Sequence, residues 1–241
     1  MKIRLSLLAL SLACILCTGL SASPIFGTFN IAGTIIVTPS TITWTGNDAP
    51  FPPDKARIGP GPTDSFTGLG GTTVTINDLG PEPVGPTFPP IPFISFDAAP
   101  LLPVLDLNQI FAGIYGTAQC LLPPAVGQQC TPSFPVTPTP VSPFNFVNNP
   151  GPVGPQATAT FVFSGVTSDG LSRWFANFTA QFGVPYQSVL TDLGTNGFVS
   201  NTYSATVTVT PLPEPDGVTM MGIGLGLVAF SLRLRRKPQR P

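Results

Sequence analysis

From residue 157 to residue 210 apolar and polar side chains alternate almost without interruption. Ala157, Ala159, Phe161 and Phe163 alternate with Thr158, Thr160, Val162 and Ser164. After Ser168-Asp169-Gly170 the pattern resumes. Trp174, Ala176, Phe178, Ala180 and Phe182 fall on one face, and Arg173, Phe175, Asn177, Thr179 and Gln181 on the other. Two period-2 runs joined through Asp-Gly predict a β-hairpin. Pro185 to Leu193 reads as a short helix or turn ended by Asn196-Gly197. A last strand follows over 201–210, with Tyr203, Ala205, Val207 and Val209 inward and Ser204, Thr206, Thr208 and Thr210 outward.

Upstream the pattern is weaker. Ile31–Val37 and Thr41–Thr45 predict two strands separated by Pro39-Ser40, with Ile42 and Trp44 sharing a face. Asp48–Leu69 is rich in proline and reads as loop. Thr72–Ile76 predicts a short strand with Val74 and Ile76 inward. Residues 81–155 hold eighteen prolines, and proline cannot donate within a central strand. This region is expected to be mostly loop or edge, with short strands at Pro92–Phe96 and Val104–Leu107, the alternative to the second being a helical turn within Leu105–Tyr115. One apolar and one polar face per strand marks antiparallel sheet solvated on one side. The expectation is an all-β antiparallel sandwich, jelly-roll or immunoglobulin-like, with long proline-rich loops.

The ends of the chain have a different character. Lys2 and Arg4 precede an apolar run from Leu5 to Cys17, and small residues follow at Gly19, Ser21, Ala22 and Ser23. This is the pattern of a secretory signal peptide, placed at 1–22. The exported β-domain then spans 23–210. At the other end Pro213-Glu214-Pro215 interrupts any regular structure. Sixteen uncharged residues, Gly217–Leu232, come next, and then the basic cluster Arg233, Arg235, Arg236 and Lys237. Sixteen helical residues span about 24 Å, short of the roughly 30 Å of a hydrocarbon core. The segment is expected to form one C-terminal transmembrane helix at about 217–232. The basic cluster puts the chain end in the cytoplasm and everything before it outside.

This order, at the extreme end of the chain, resembles the PEP-CTERM sorting signal of exported proteins of Gram-negative bacteria. The resemblance covers 211–241. It implies recognition and processing by an exosortase near Pro213, Glu214 and Pro215. It also implies an inner-membrane precursor held through the C-terminal helix, and then release to the cell surface or the exopolysaccharide-containing matrix.

The net charge of −1 hides an asymmetry, because most basic residues lie in the two end segments. Between 24 and 212 only Lys55, Arg57 and Arg173 are basic, against nine acids, a net of −6. That balance argues against nucleic acid as a partner. Two of the four cysteines leave with the signal peptide. Cys120 and Cys130 remain, and in an oxidising compartment they are expected to form a disulfide.

The chain contains no histidine, which excludes Ser-His-Asp and Cys-His units and the common zinc sites. No phosphate-binding glycine loop is present. The acids mostly sit beside turn formers, which accounts for them without chemistry. Asp106 and Asn108 form a D-x-N fragment without the other oxygens, the glycine and the distal glutamate of a calcium loop; it reads as polar loop. Asn177-Phe178-Thr179 matches a glycosylation sequon by chance. The expectation is a non-enzymatic exported protein without metal or cofactor. Phe175, an aromatic on an otherwise polar face, is the candidate glycan contact of an alternative reading: a carbohydrate-binding module recognising the host exopolysaccharide. The proline-rich region covering Phe175 would remove that role.

Overall fold

The computed structural model describes residues 23–45, 54–133 and 142–213. The alternating runs form strands: β1 (Gly27–Val37), β2 (Ile42–Thr45), β3 (Lys55–Ile58), β4 (Thr73–Ile76), β5 (Thr87–Phe96), β6 (Leu105–Ile110), β7 (Gln129–Cys130), β8 (Asn145–Gly151), β9 (Gly154–Thr167), β10 (Ser172–Gln181) and β11 (Val199–Pro211). Among the described residues one α-helix, α1 (Tyr186–Asn196), joins β10 to β11.

The strands do not make two layers. β11 pairs antiparallel with both β10 and β1 along its length. From β1 the ladder continues through β3, β4, β5 and β6 to β9, and β9 returns to β10. Eight antiparallel strands therefore close on themselves in nearly sequential order. The expected sandwich is corrected to a closed barrel. Alternation looks alike in both architectures, and what distinguishes them is whether the last strand finds the first. The expected membrane helix at 217–232 lies outside the described residues. Among the described residues no helix is long and apolar enough to cross a membrane.

The three remaining strands belong to two excursions. β2 and β3 both pair antiparallel with β1, β2 against Thr34–Val37 and β3 against Ile31–Ala32. They are the two halves of one broken strand, bridged by the hydrogen bond from the Asp54 N–H to the Trp44 carbonyl, 3.1 Å. β6 and β8 share β9 in the same way, β6 against 163–167 and β8 against 154–160. The residues between them carry β7, which adds to β8.

One expectation of loop is thus overturned: Asp48–Leu69 contains β3, which has partner strands on both sides. In residues 81–155 the short strands expected at Pro92–Phe96 and Val104–Leu107 form, as the barrel strands β5 and β6. β5 admits Pro89, Pro90 and Pro92 because β4 pairs only with its last three residues, Ile94–Phe96. Before that point one edge of β5 is unpaired by β4, and bulges interrupt the register with β6, so the missing N–H groups break no central ladder. The alternative, a helical turn within 105–115, gives way to strand β6.

Inward positions are mostly apolar; the polar exceptions Asn148, Thr167 and Ser172 are hydrogen-bonded. Trp44 lies 4.9 Å from Tyr203, 5.2 Å from Phe178 and 5.9 Å from Phe93, ring centre to ring centre. Phe161 stacks on Phe178 at 4.9 Å, and Phe93 on Trp174 at 5.8 Å. At the end where β1 begins, a 3-10 turn (Asp64–Phe66) inserts the fully buried Phe66 against Phe29 and Phe96. At the opposite end Phe144, Phe146 and Tyr186 fill the space. Two inward glycines make this packing fit. Gly33 faces the ring of Tyr203, and a Cβ there would come within 3.1 Å of it. A Cβ on Gly165 would lie 1.8 Å from the Asp106 carbonyl oxygen.

The barrel surface is polar. β11 turns Ser204, Thr206 and Thr210 to solvent, and β10 turns Arg173, Asn177 and Gln181. This is the reverse of a membrane barrel, whose outward positions are apolar.

Candidate functional site

The outer surface of β10, β11 and β1 holds the most favourable combination of exposed groups. Strand alternation puts Arg173, Phe175 and Asn177 outward because Trp174, Ala176 and Phe178 occupy the core. Register then sets their neighbours. Phe175 lies between Ser164 of β9 and Thr208 of β11. Asn177 lies beside Thr206, and Thr206 beside Asn30 of β1. The Thr206 hydroxyl donates to Asn30 Oδ1 at 2.8 Å. Arg173 Nε donates to Thr210 Oγ1 at 3.3 Å. Asn30, Asn177, Thr179, Ser204 and Thr206 line a shallow depression of about 370 Å³.

Phe175 is 47% exposed. Among the described residues its aromatic neighbour is Phe111, edge-on at 5.9 Å. Phe111 is the first residue after β6, so the proline-rich region contacts Phe175 there and leaves it about half open. An exposed ring flanked by amides and hydroxyls can stack on an apolar face and hydrogen-bond to hydroxyl groups around it. β1, β10 and β11 contain no carboxylate, so this surface offers no acid–base pair.

The other residues singled out from the sequence lie elsewhere. Cys120 and Cys130 are joined in a disulfide with Cα atoms 5.1 Å apart. Their loop docks on the start of α1: the Tyr186 hydroxyl donates to the Gln119 carbonyl at 2.9 Å, and Gln187 Nε2 to the Leu122 carbonyl at 3.1 Å. Asp106 and Asn108 are on strand β6, not in a loop. Desolvation by burial holds the Asp106 carboxyl above its ordinary range. Among the described residues no group of three metal-ligating side chains occurs. Of the sorting motif Pro213 is described, exposed and two residues beyond β11. Glu214 and Pro215 lie outside the described residues, as do Arg233, Arg235, Arg236 and Lys237.

An apolar crevice sits where α1 covers the barrel end, between Phe144, Phe182, Val189, Leu193 and Val199. Its volume of about 40 Å³ is close to that of a single water, and its lining lacks the polar partners a water requires. It reads as imperfect packing.

Sequence reasoning found Phe175 but not the neighbours that make it a surface. Asn30 is more than 140 residues from Asn177 in sequence, and only the closure of β11 onto β1 brings them together. Arg57 was hidden in a stretch read as loop. Comparison with protein-family models, with curated proteins and with solved structures finds no match to this chain.

Proposed function

We propose that this is a non-enzymatic protein of the cell surface or extracellular matrix, exported and then processed by an exosortase through Pro213-Glu214-Pro215. The observation that carries the reading is the order of three features: the proline-flanked glutamate, sixteen uncharged residues and a basic cluster. The position of Pro213 supports it. The motif begins just past the last strand, in exposed chain, so a membrane-bound protease can reach it without opening the barrel. The test is an immunoblot of inner-membrane and surface fractions from hosts with and without exosortase. The wild-type chain should shorten by roughly its tail only where exosortase is present. Alanine at Pro213, Glu214 and Pro215 should keep the full-length chain in the inner membrane. A wild-type chain that keeps its C-terminus in both hosts rules the assignment out.

A second reading, carbohydrate binding by the exported domain, is favoured by Phe175. A ring half open to solvent among amides and hydroxyls is suited to a sugar face. A glycan array probed with wild type and Phe175→Ala tests it; binding that survives the substitution unchanged removes Phe175 from the site.

A further inference from the structure

The charges of the exported domain are distributed unevenly around the barrel. All three basic residues between 24 and 212 lie on β3 and β10. None of the nine acids in that span lies on β1, β3, β10 or β11. These four strands are consecutive neighbours in the closed sheet, in the order β10-β11-β1-β3. These four strands carry no carboxylate of their own; the acids nearest them are Asp54, just before β3, Asp64, beside Gly27 at the start of β1, and Asp97, held by Lys55 of β3 and by Thr73, the residue paired with Arg57.

Lys55 is already committed, with its ammonium 2.7 Å from Asp97. Asp97, on the β4–β5 side, accepts in addition from Thr73 and Thr75. Burial alone would raise its pKa, but these hydrogen bonds and the Lys55 charge outweigh it, so the carboxyl is lowered and stays neutralised by its own partners. Arg57 and Arg173 are exposed and take part in no ion pair among the described residues. Arg57 edges a depression of about 540 Å³, lined also by Ala32, Gly59, Pro60, Gly70 and Gly71. This hollow adjoins the one at Asn30, because Gly59 N–H bonds to the Asn30 carbonyl at 2.8 Å. Arg57 stands three strands from Phe175, roughly 14 Å across the sheet at about 4.8 Å per strand, and four residues further along it, since Phe175 lies level with Thr208 and Thr28 whereas Arg57 pairs with Ala32; the two are about 19 Å apart.

We infer that the β10-β11-β1-β3 side of the barrel binds a carboxylate-bearing polysaccharide, with Phe175 under a sugar ring and Arg57 holding an acid group. The inference rests on the carbohydrate reading of Phe175 and adds the charge of the ligand. A guanidinium presents paired donors that match a carboxylate. Acids on the far strands are screened beyond about 8 Å at physiological ionic strength, and Asp97, near Arg57, is paired with Lys55. Two guanidinium groups without an ion pair among the described residues, on a surface of amides and hydroxyls, suit a chain of hydroxyls with occasional acids. A nucleic acid needs clustered cations along every phosphate.

The test is calorimetric titration of the purified protein with polygalacturonate, alginate and hyaluronan. Neutral dextran and xyloglucan and a single-stranded oligonucleotide serve as comparisons. At least one of the acidic polymers should bind saturably, more weakly as salt is added. Phe175→Ala and Arg57→Gln should each weaken it about tenfold or more without moving the melting temperature, since both side chains are exposed. Failure of all three acidic polymers overturns the inference, as does equal binding of the oligonucleotide or an Arg57→Gln variant that binds like wild type. Phe175-dependent binding of the neutral glycans alone also overturns it but leaves the carbohydrate reading standing. No binding to any glycan removes both.

Discussion

Two tryptophans fill the barrel, and they use their indole N–H groups differently. Trp174 Nε1 donates to the Asp106 carbonyl at 2.9 Å, across the gap that Gly165 leaves. Trp44 Nε1 is buried without a hydrogen-bond partner among the described residues. Replacement of either by phenylalanine removes similar volume, but only at Trp174 does it leave a buried carbonyl short of its donor. Trp174→Phe should therefore lower unfolding stability by about 1–3 kcal/mol more than Trp44→Phe in urea melts; equal losses would show that this bond contributes nothing. Tyr203 packs among the same rings, and desolvation by burial pushes its hydroxyl far above the ordinary tyrosine value. The folded state then holds a proton that the unfolded chain releases near pH 10. Stability is complete below that pH and falls above it. Tyr203→Phe should shift the midpoint of alkaline unfolding upward in a pH titration followed by circular dichroism.

At the scale of elements, the long inserted segment between β6 and β8 is tied to the barrel at several points, among them the Ile114 N–H donating to Asn145 Oδ1 and the Gly127 N–H to the Asn148 carbonyl. The disulfide closes its loop, β7 adds to β8, and Tyr186 and Gln187 of α1 hold its backbone. The helix is held in return. The Tyr186 N–H, which has no partner within the helix, donates to Asn148 Oδ1 of β8 at 3.0 Å, and Gly197 ends the helix in the left-handed conformation. Alkylation of denatured, unreduced protein should label neither Cys120 nor Cys130. Replacing both by alanine should cost about 2–3 kcal/mol in the chain-entropy view of so short a loop. Since the loop lies outside the eight-strand ring, far-ultraviolet circular dichroism should keep its native β signal in that variant.

At the scale of the whole molecule, closure makes β11 indispensable and the tail dispensable. β11 is the seam between β10 and β1, whereas the barrel unit ends at Pro211. Deleting residues 212–241 should leave the melting temperature of the barrel domain unchanged. Deleting 199–211 should abolish cooperative melting, because it exposes two unpaired edges and opens the core. A cooperative transition in the second variant would mean that the ring is not the unit of folding.

The alternation of Phe161, Phe163, Trp174, Phe178, Tyr203 and Val207 with polar neighbours was enough, without any structure, to place the last strands and their inward faces. Asp169-Gly170 and Asn196-Gly197 marked the turn and the helix end, since only special backbone conformations fit there. Phe175 was legible as an aromatic on the wrong face. These are local properties of period and turn chemistry. What only the tertiary structure decided depends on long-range register. β3 is too short to announce itself and exists because β1 and β4 hold it. β5 keeps three prolines because its neighbour is shorter than it is. The ring closes because β11 fits both β10 and β1. The surface that carries Arg57, Asn30 and Phe175 has the same origin: the three are separated in sequence, and hydrogen-bond pairing puts them on one run of neighbouring strands.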